Sequence, residues 1–445
     1  MLKGENDKGN VYQYLDGIRS FTSVGKNGAR KTTSQGFGYS NIPLKAPMTE
    51  DSRFPIASNT KLYTAVAIYQ LYEQDKLDVD ADIATMLDSQ DFENFGLEGK
   101  DVRKFCPRVG GQHYPFRNCE KITLRNLMSM SSGIYPALNC DAPETSSDQC
   151  NPIPYIVSMG SIGETVGSFL LQPLMFKPGT TFHYSNPNFI LAAYFVEKYS
   201  GQSFRNYLQD NIFAPIGLEN SYFDFYNGAL GMDEKRVDLY FKFYDNTTEP
   251  YQLMSVGKDV VQLDLGVASG TGGVVSSAGD YATFWYSLFN KTTMGAPLLS
   301  AASVKAILSP WTLEAKIDHW IFPNGTKGSL WQYYSQGTCI LCEAKNCPEG
   351  PRWISYTGGT FAVSTANVLD YHTFEMAQVW TSTKVSMTDR ETFQSIFNRQ
   401  SGFSLYVVND LVSRKFINPS LLAWYLLYDG NIQLSENYTK IKTKE

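Results

Sequence analysis

The sequence predicts an α+β fold, on three observations. A run of helical period follows Pro55, with Ala65, Ile68, Tyr69 and Tyr72 on one face of an amphipathic helix. Segments at 331–340, 352–357, 360–363 and 374–380 instead alternate β-branched and aromatic residues, the period of strands. The chain has 445 residues, 43% of them hydrophobic, which is enough to bury a large core.

The helix after Pro55 carries the first candidate chemistry. Ser58 and Lys61 stand three residues apart at its start, most of one turn, so hydroxyl and amine share a face. A serine hydroxyl is a poor nucleophile until an adjacent base takes its proton. A lysine serves as that base when desolvation or a neighbouring cation lowers its pKa. The helix N-terminus adds donors where an alkoxide would form. A second Ser-x-x-Lys, Ser23 to Lys26, lies in a Gly-rich, charged stretch that reads as a turn.

The surroundings of Ser58 distinguish the two copies. Phe54, Ile56, Ala57, Ser58 and Lys61, followed by Asp75, Lys76, Leu77, Val79 and Asp80, resemble the nucleophile segment of the serine β-lactamase and penicillin-binding-protein superfamily. The resemblance is to its class C β-lactamase, DD-peptidase and esterase branch. It continues in order through GFGYSN (36–41), ITLRNLMSMSSGI (122–134), FKPGTTFHYSN (176–186), NIFAPIGLENSYF (211–223), GTGGVVSSAGDYATFWYSLFN (270–290) and YTGGTFAV (356–363). The fold it implies is β-lactamase/transpeptidase-like: an antiparallel sheet flanked by helices plus a mostly helical subdomain. Residues 1–76 and 266–413 would form the α/β part, with a helix near 388–412. Residues 77–265 would form the helical part, and 414–445 a C-terminal extension.

The resemblance also assigns roles. Ser58 matches the nucleophile, Lys61 its partner, and Tyr184 and Asn186 the second motif. Two other Tyr-x-Asn copies, at Tyr39 and Tyr244, lack the preceding Pro-Gly turn and the following apolar helix. Relatives place Lys-Thr-Gly or His-Thr-Gly on a strand lining the site, where this chain has Tyr356, Thr357 and Gly358, followed by Gly359. Glycines suit a strand that must approach substrate closely. By analogy the backbone N–H groups of Ser58 and Gly359 would form the oxyanion hole. Backbone donors survive the change to Tyr356, but the cation does not. The expectation is weaker selection for carboxylate substrates, and a rate that rises further into alkaline pH. No metal or cofactor is implied, and His113, His183, His319 and His372 sit in no triad or metal motif.

Composition bounds the partners. A net charge of −6 gives no basic patch for nucleic acid. No apolar run is long enough for a membrane span, Leu421 to Tyr428 included. The expected partner is a small-molecule or short peptide substrate. Most of the seven cysteines lie in polar, Gly/Pro-rich loops. Local bridges Cys106–Cys119 and Cys140–Cys150 are expected, each worth about 3 kcal/mol in the chain-entropy model. The cluster Cys339, Cys342 and Cys347 is expected to hold one more bridge, with Cys342 and Cys347 as candidates; zinc is the rival reading. This usage points to an extracellular or lumenal protein. The polar N-terminal stretch is no signal peptide and leaves little room for a strand before GFGYSN, as in a truncated or processed chain. Asn246, Asn290, Asn324 and Asn437 begin glycosylation triplets, about as many as chance supplies.

Two function classes follow. The leading one is a serine hydrolase acting on ester, amide, peptide or β-lactam substrates. The alternative is a catalytically inactive binding or scaffold protein, motivated by Tyr356. A cell-wall transpeptidase is disfavoured by the missing cation.

Overall fold

The computed structural model describes residues 16–25, 28–97, 121–136, 161–170, 174–224, 233–244, 252–257, 270–321, 327–359 and 362–387. Its organising element is an eight-stranded sheet. In chain order the strands are β1 Gly17–Val24, β2 Arg30–Phe37, β3 Thr312–Ile321, β4 Lys327–Tyr334, β5 Cys339–Cys342, β6 Trp353–Gly359, β7 Ser364–Asp370 and β8 Glu375–Thr381. Across the sheet they run β3-β4-β5-β6-β7-β8-β1-β2, every pair antiparallel. The sheet therefore joins the two ends of the described chain, with Gly17 opposite Thr381. Facing hydroxyls, Ser20–Ser34 and Thr22–Thr32 at 3.0 Å each, help set the β1–β2 register.

Three helices position the site: α1 Thr60–Glu73, α2 Pro187–Ser200 and α3 Ala278–Phe289. The Ser277 side chain caps α3 by accepting from the Asp280 N–H. This helix packs on β1 and β8, and Tyr286 Oη donates to the carbonyls of Thr22 and Phe374. Pro187 opens α2 and Gly201, at φ +71°, ends it. Helix α1 packs against α2.

The strands depart from expectation in three places. Residues 331–340 are not one strand but the end of β4, a turn and the start of β5; Gly337, at φ +79°, allows the turn. Of the segment at 360–363, Ala362 and Val363 precede the strand, since β7 begins at Ser364; residues 360 and 361 lie outside the described ones. The early residues do hold a full strand, β1, where little room was expected.

Helix α1 is also not amphipathic. It is buried on all sides from Thr60 to Leu71, and several of its polar groups find partners inside. Thr64 Oγ1 donates to the Gly270 carbonyl at 2.6 Å, and Gln70 Nε2 to that of Asn211 at 2.9 Å. Ser23 and Val24 of the second Ser-x-x-Lys end strand β1, ahead of a turn closed by Gly28 N–H to the Gly25 carbonyl.

The pairs Cys106–Cys119 and Cys140–Cys150, the helix near 388–412 and the 414–445 extension lie outside the described residues. No described helix is long and apolar enough to cross a membrane.

Candidate active site

Ser58 sits in a 3-10 turn, Ala57–Asn59, that runs straight into α1. Ala57 holds φ at +49°, a conformation that L-residues rarely adopt. The neighbouring Asn59 pins this turn to the sheet. Its Nδ2 donates to Thr365 Oγ1 (2.6 Å) and the Ile56 carbonyl (3.1 Å). Its Oδ1 accepts from Tyr281 Oη (3.0 Å) and Asn367 Nδ2 (3.1 Å). All four hydrogen-bonding positions of a buried carboxamide are thus used.

Two groups converge on Ser58 Oγ. Lys61 Nζ, wholly buried, donates to it at 2.9 Å and to the Thr271 carbonyl at 2.9 Å. Tyr184 Oη lies 2.7 Å from the same oxygen, and either hydroxyl can donate. The ammonium also stands 5.1 Å from the Tyr184 ring centre. Burial pushes the Tyr184 phenol up to about 12, so it keeps its proton at neutral pH. Thr271 Oγ1 donates to Asn186 Oδ1 at 3.1 Å, tying the second motif to the residue that also holds Lys61.

Ser58 and Tyr184 open on a pocket of about 430 Å³. Strand β6 gives it Tyr356, Thr357 and Gly359. Gly358 faces away, against the nucleophile turn: a Cβ there would lie 2.1 Å from the Ile56 carbonyl oxygen. Tyr356 is buried and its hydroxyl lies 2.5 Å from that of Tyr334, with the rings edge to face. Burial drives both phenols well above the ordinary tyrosine range. Glu314 and Gln332, on β3 and β4, and Cys339, on β5, also line the pocket. Cys339 Sγ donates to Glu314 Oε2 at 3.4 Å.

The model of the family described as Beta-lactamase matches residues 23–390. This chain belongs to that family. Among curated proteins it is 26% identical to penicillin-binding protein 4* of Bacillus subtilis over 358 residues, 80% of this chain and 66% of that protein. It is 24% identical to protein flp of Staphylococcus aureus over 198 residues, 44% of this chain and 33% of that one. The chain thus spans about a third of the length of protein flp. A solved penicillin-binding protein from Bacillus halodurans superposes with a TM-score of 0.60 at 21% identity, covering 83% of this chain and 92% of that one. At that identity the likeness speaks for the fold, which is that of the β-lactamases and penicillin-binding proteins.

The fold brings Ser58, Lys61 and Tyr184 within hydrogen-bond reach, and Thr271 bonds both Lys61 and Asn186. Where family members carry a cation on the third strand, this chain has a Tyr356–Tyr334 hydroxyl pair. Cys342 and Cys347 are bridged, leaving Cys339 as a free thiol. That bridge uses two of the three clustered sulfurs and removes a three-thiolate zinc site. Burial raises the remaining thiol well above its ordinary range, so it stays S–H. Sequence reasoning missed Asn59, Thr271, Tyr334 and Glu314. Asn59 lies inside the Ser-x-x-Lys motif and Thr271 inside the GTGG run, so both were in view. Nothing local marks Tyr334 or Glu314.

Proposed function

We propose that this chain is a serine hydrolase that forms an acyl-enzyme on Ser58, with Lys61 and Tyr184 as its proton-transfer pair. The observation that carries the reading is the double contact on Ser58 Oγ, 2.9 Å from Lys61 Nζ and 2.7 Å from Tyr184 Oη. In the reactive form Lys61 is a neutral amine and takes the serine proton as Oγ bonds to the substrate carbonyl. The oxyanion meets the Ser58 and Gly359 N–H groups, both at the pocket. The proton then passes to the leaving group, directly or through the Tyr184 phenol, and the carbonyl–leaving-group bond breaks. Water, deprotonated by the same pair, attacks the ester, and Ser58 recovers its proton.

Esters and amides without a carboxylate are the favoured substrates over penicillins and other carboxylated β-lactams. Tyr356 offers no charge, and its hydroxyl is engaged by Tyr334. The Cys342–Cys347 bridge supports an extracellular or lumenal, oxidising setting. Intact mass after incubation with a fluorophosphonate, and separately with a penicillin, tests the reading on wild type and Ser58→Ala. A fluorophosphonate adduct lost in Ser58→Ala is the expected result. No adduct on folded wild-type protein would favour a binding or scaffold role.

A further inference from the structure

Strand β3 departs from regular pairing next to the pocket. Leu313 faces Tyr333 and Ala315 faces Gln332, so Glu314 is the extra residue of a bulge. Bulges re-aim side chains, and this one sends a carboxylate to the pocket wall, beside Gln332 and Cys339. Among the described residues that line the pocket, Glu314 is the only acidic one, and no lysine or arginine joins it there. Its partners are the Cys339 thiol and the Gln332 amide, both neutral. Next to them stand the Tyr184, Tyr334 and Tyr356 rings, π-systems that attract a cation within reach.

We propose that this pocket selects ligands bearing a protonated amine, with the Glu314 carboxylate pairing with the ammonium beside the tyrosine rings; that these ligands are acyl donors rests on the reading of Ser58 above. Burial pushes the Glu314 carboxyl up, because its charge is desolvated without a cation. An incoming ammonium supplies that counter-charge through a charge-assisted hydrogen bond. The preference is the reverse of carboxylate recognition. A bound carboxylate would face Glu314 across a low-dielectric pocket, a like-charge pairing that excludes wrong partners.

Aryl esters in matched pairs test this: phenylalanine against hydrocinnamate, and an ω-aminoalkanoate against the alkanoate of equal length. Wild type is expected to show a kcat/KM at least about tenfold higher for the ammonium member of one pair. In Glu314→Gln that ratio should fall to within about twofold of unity, with fluorophosphonate labelling confirming that the variant is folded. The wild-type ratio is informative even if the variant does not fold. A second measurement avoids the chemistry: thermal melting of Ser58→Ala with phenethylammonium or phenylacetate. Stabilisation by the ammonium alone, absent once Glu314→Gln is added, supports the inference.

Turnover without an ammonium preference, or a preference that survives Glu314→Gln, overturns it. So does an equal slowing of both esters with accumulated acyl-enzyme, which would make Glu314 a deacylation group. If neither ester is turned over but the ammonium-specific shift appears, the hydrolase reading fails and the amine site stands.

Discussion

The proton of Ser58 has two neighbours, and their chemistry separates them. Tyr184 is a phenol held up to about 12 by burial, so it relays a proton but does not take one at neutral pH. Lys61 is the basic group, oriented by the Thr271 carbonyl at 2.9 Å. Lys61→Ala is therefore expected to lower the second-order rate of fluorophosphonate labelling by about 10²–10⁴, the usual worth of a positioned base. Tyr184→Phe keeps the amine and should lose at least about tenfold less. Stopped-flow acylation of both variants compares them directly; a larger loss in Tyr184→Phe would route the proton through the tyrosine. At this scale the sequence was most readable, since the segment around Ser58 and Lys61, more than their spacing, sets them apart from the second Ser-x-x-Lys. Asn59 was not legible in this way. Its role depends on Thr365, Asn367 and Tyr281, all more than 200 positions away in the chain.

Strand β6 does two jobs on its two faces, and its glycines divide them. Gly358 packs against the nucleophile turn: a Cβ would meet Ile56 O at 2.1 Å, Thr365 Oγ1 at 2.7 Å and Asn59 Nδ2 at 2.8 Å. Two of these belong to the turn itself, and the Ile56 oxygen is backbone that has no rotamer to yield. Gly358→Ala should thus push the turn off the sheet, destabilising by about 3 kcal/mol and abolishing labelling of Ser58. Gly359 faces the pocket, and among the described residues the nearest obstacle for a Cβ is Val363 O at 3.8 Å. Gly359→Ala should melt within about 1 kcal/mol of wild type while raising KM for bulky acyl groups. Urea unfolding and steady-state kinetics on the two variants measure the contrast; equal stability loss in both would contradict it. Period-two alternation made these strands legible from sequence, but not their limits. The run 331–340 has Trp331, Tyr333, Cys339 and Ile340 at its two ends, and the turn lies in the polar stretch between them, at Gly337. The bulge at Glu314 left no trace at all, because it is defined by the pairing with β4.

At the scale of the whole molecule, the segments in order made the architecture readable, while the interior they enclose was not. The chain has 28 tyrosines, and composition does not say which of them lose contact with water. Tyr63, Tyr281, Tyr334 and Tyr356 are buried, each with its phenol pushed up by loss of water. They form two neighbouring pairs: Tyr63, stacked on Phe284, lies 6.1 Å from Tyr281, which contacts Trp380, and Tyr334 pairs with Tyr356. A phenol whose pKa is raised in the fold binds its proton more tightly there than in the unfolded chain. Its contribution is complete below the ordinary tyrosine pKa of about 10 and is lost as pH rises toward the folded value. In that window each such group removes about 1.4 kcal/mol per pH unit. Four together would consume a stability of about 5–15 kcal/mol within a few units. The protein should therefore unfold cooperatively above about pH 10. The late rise of phenolate absorbance should coincide with loss of near-UV ellipticity. Substituting Phe for Tyr63 removes one of these protons and should move the midpoint upward. A midpoint that stays put, or buried phenols that ionise while the ellipticity holds, would mean that water reaches them in the native state.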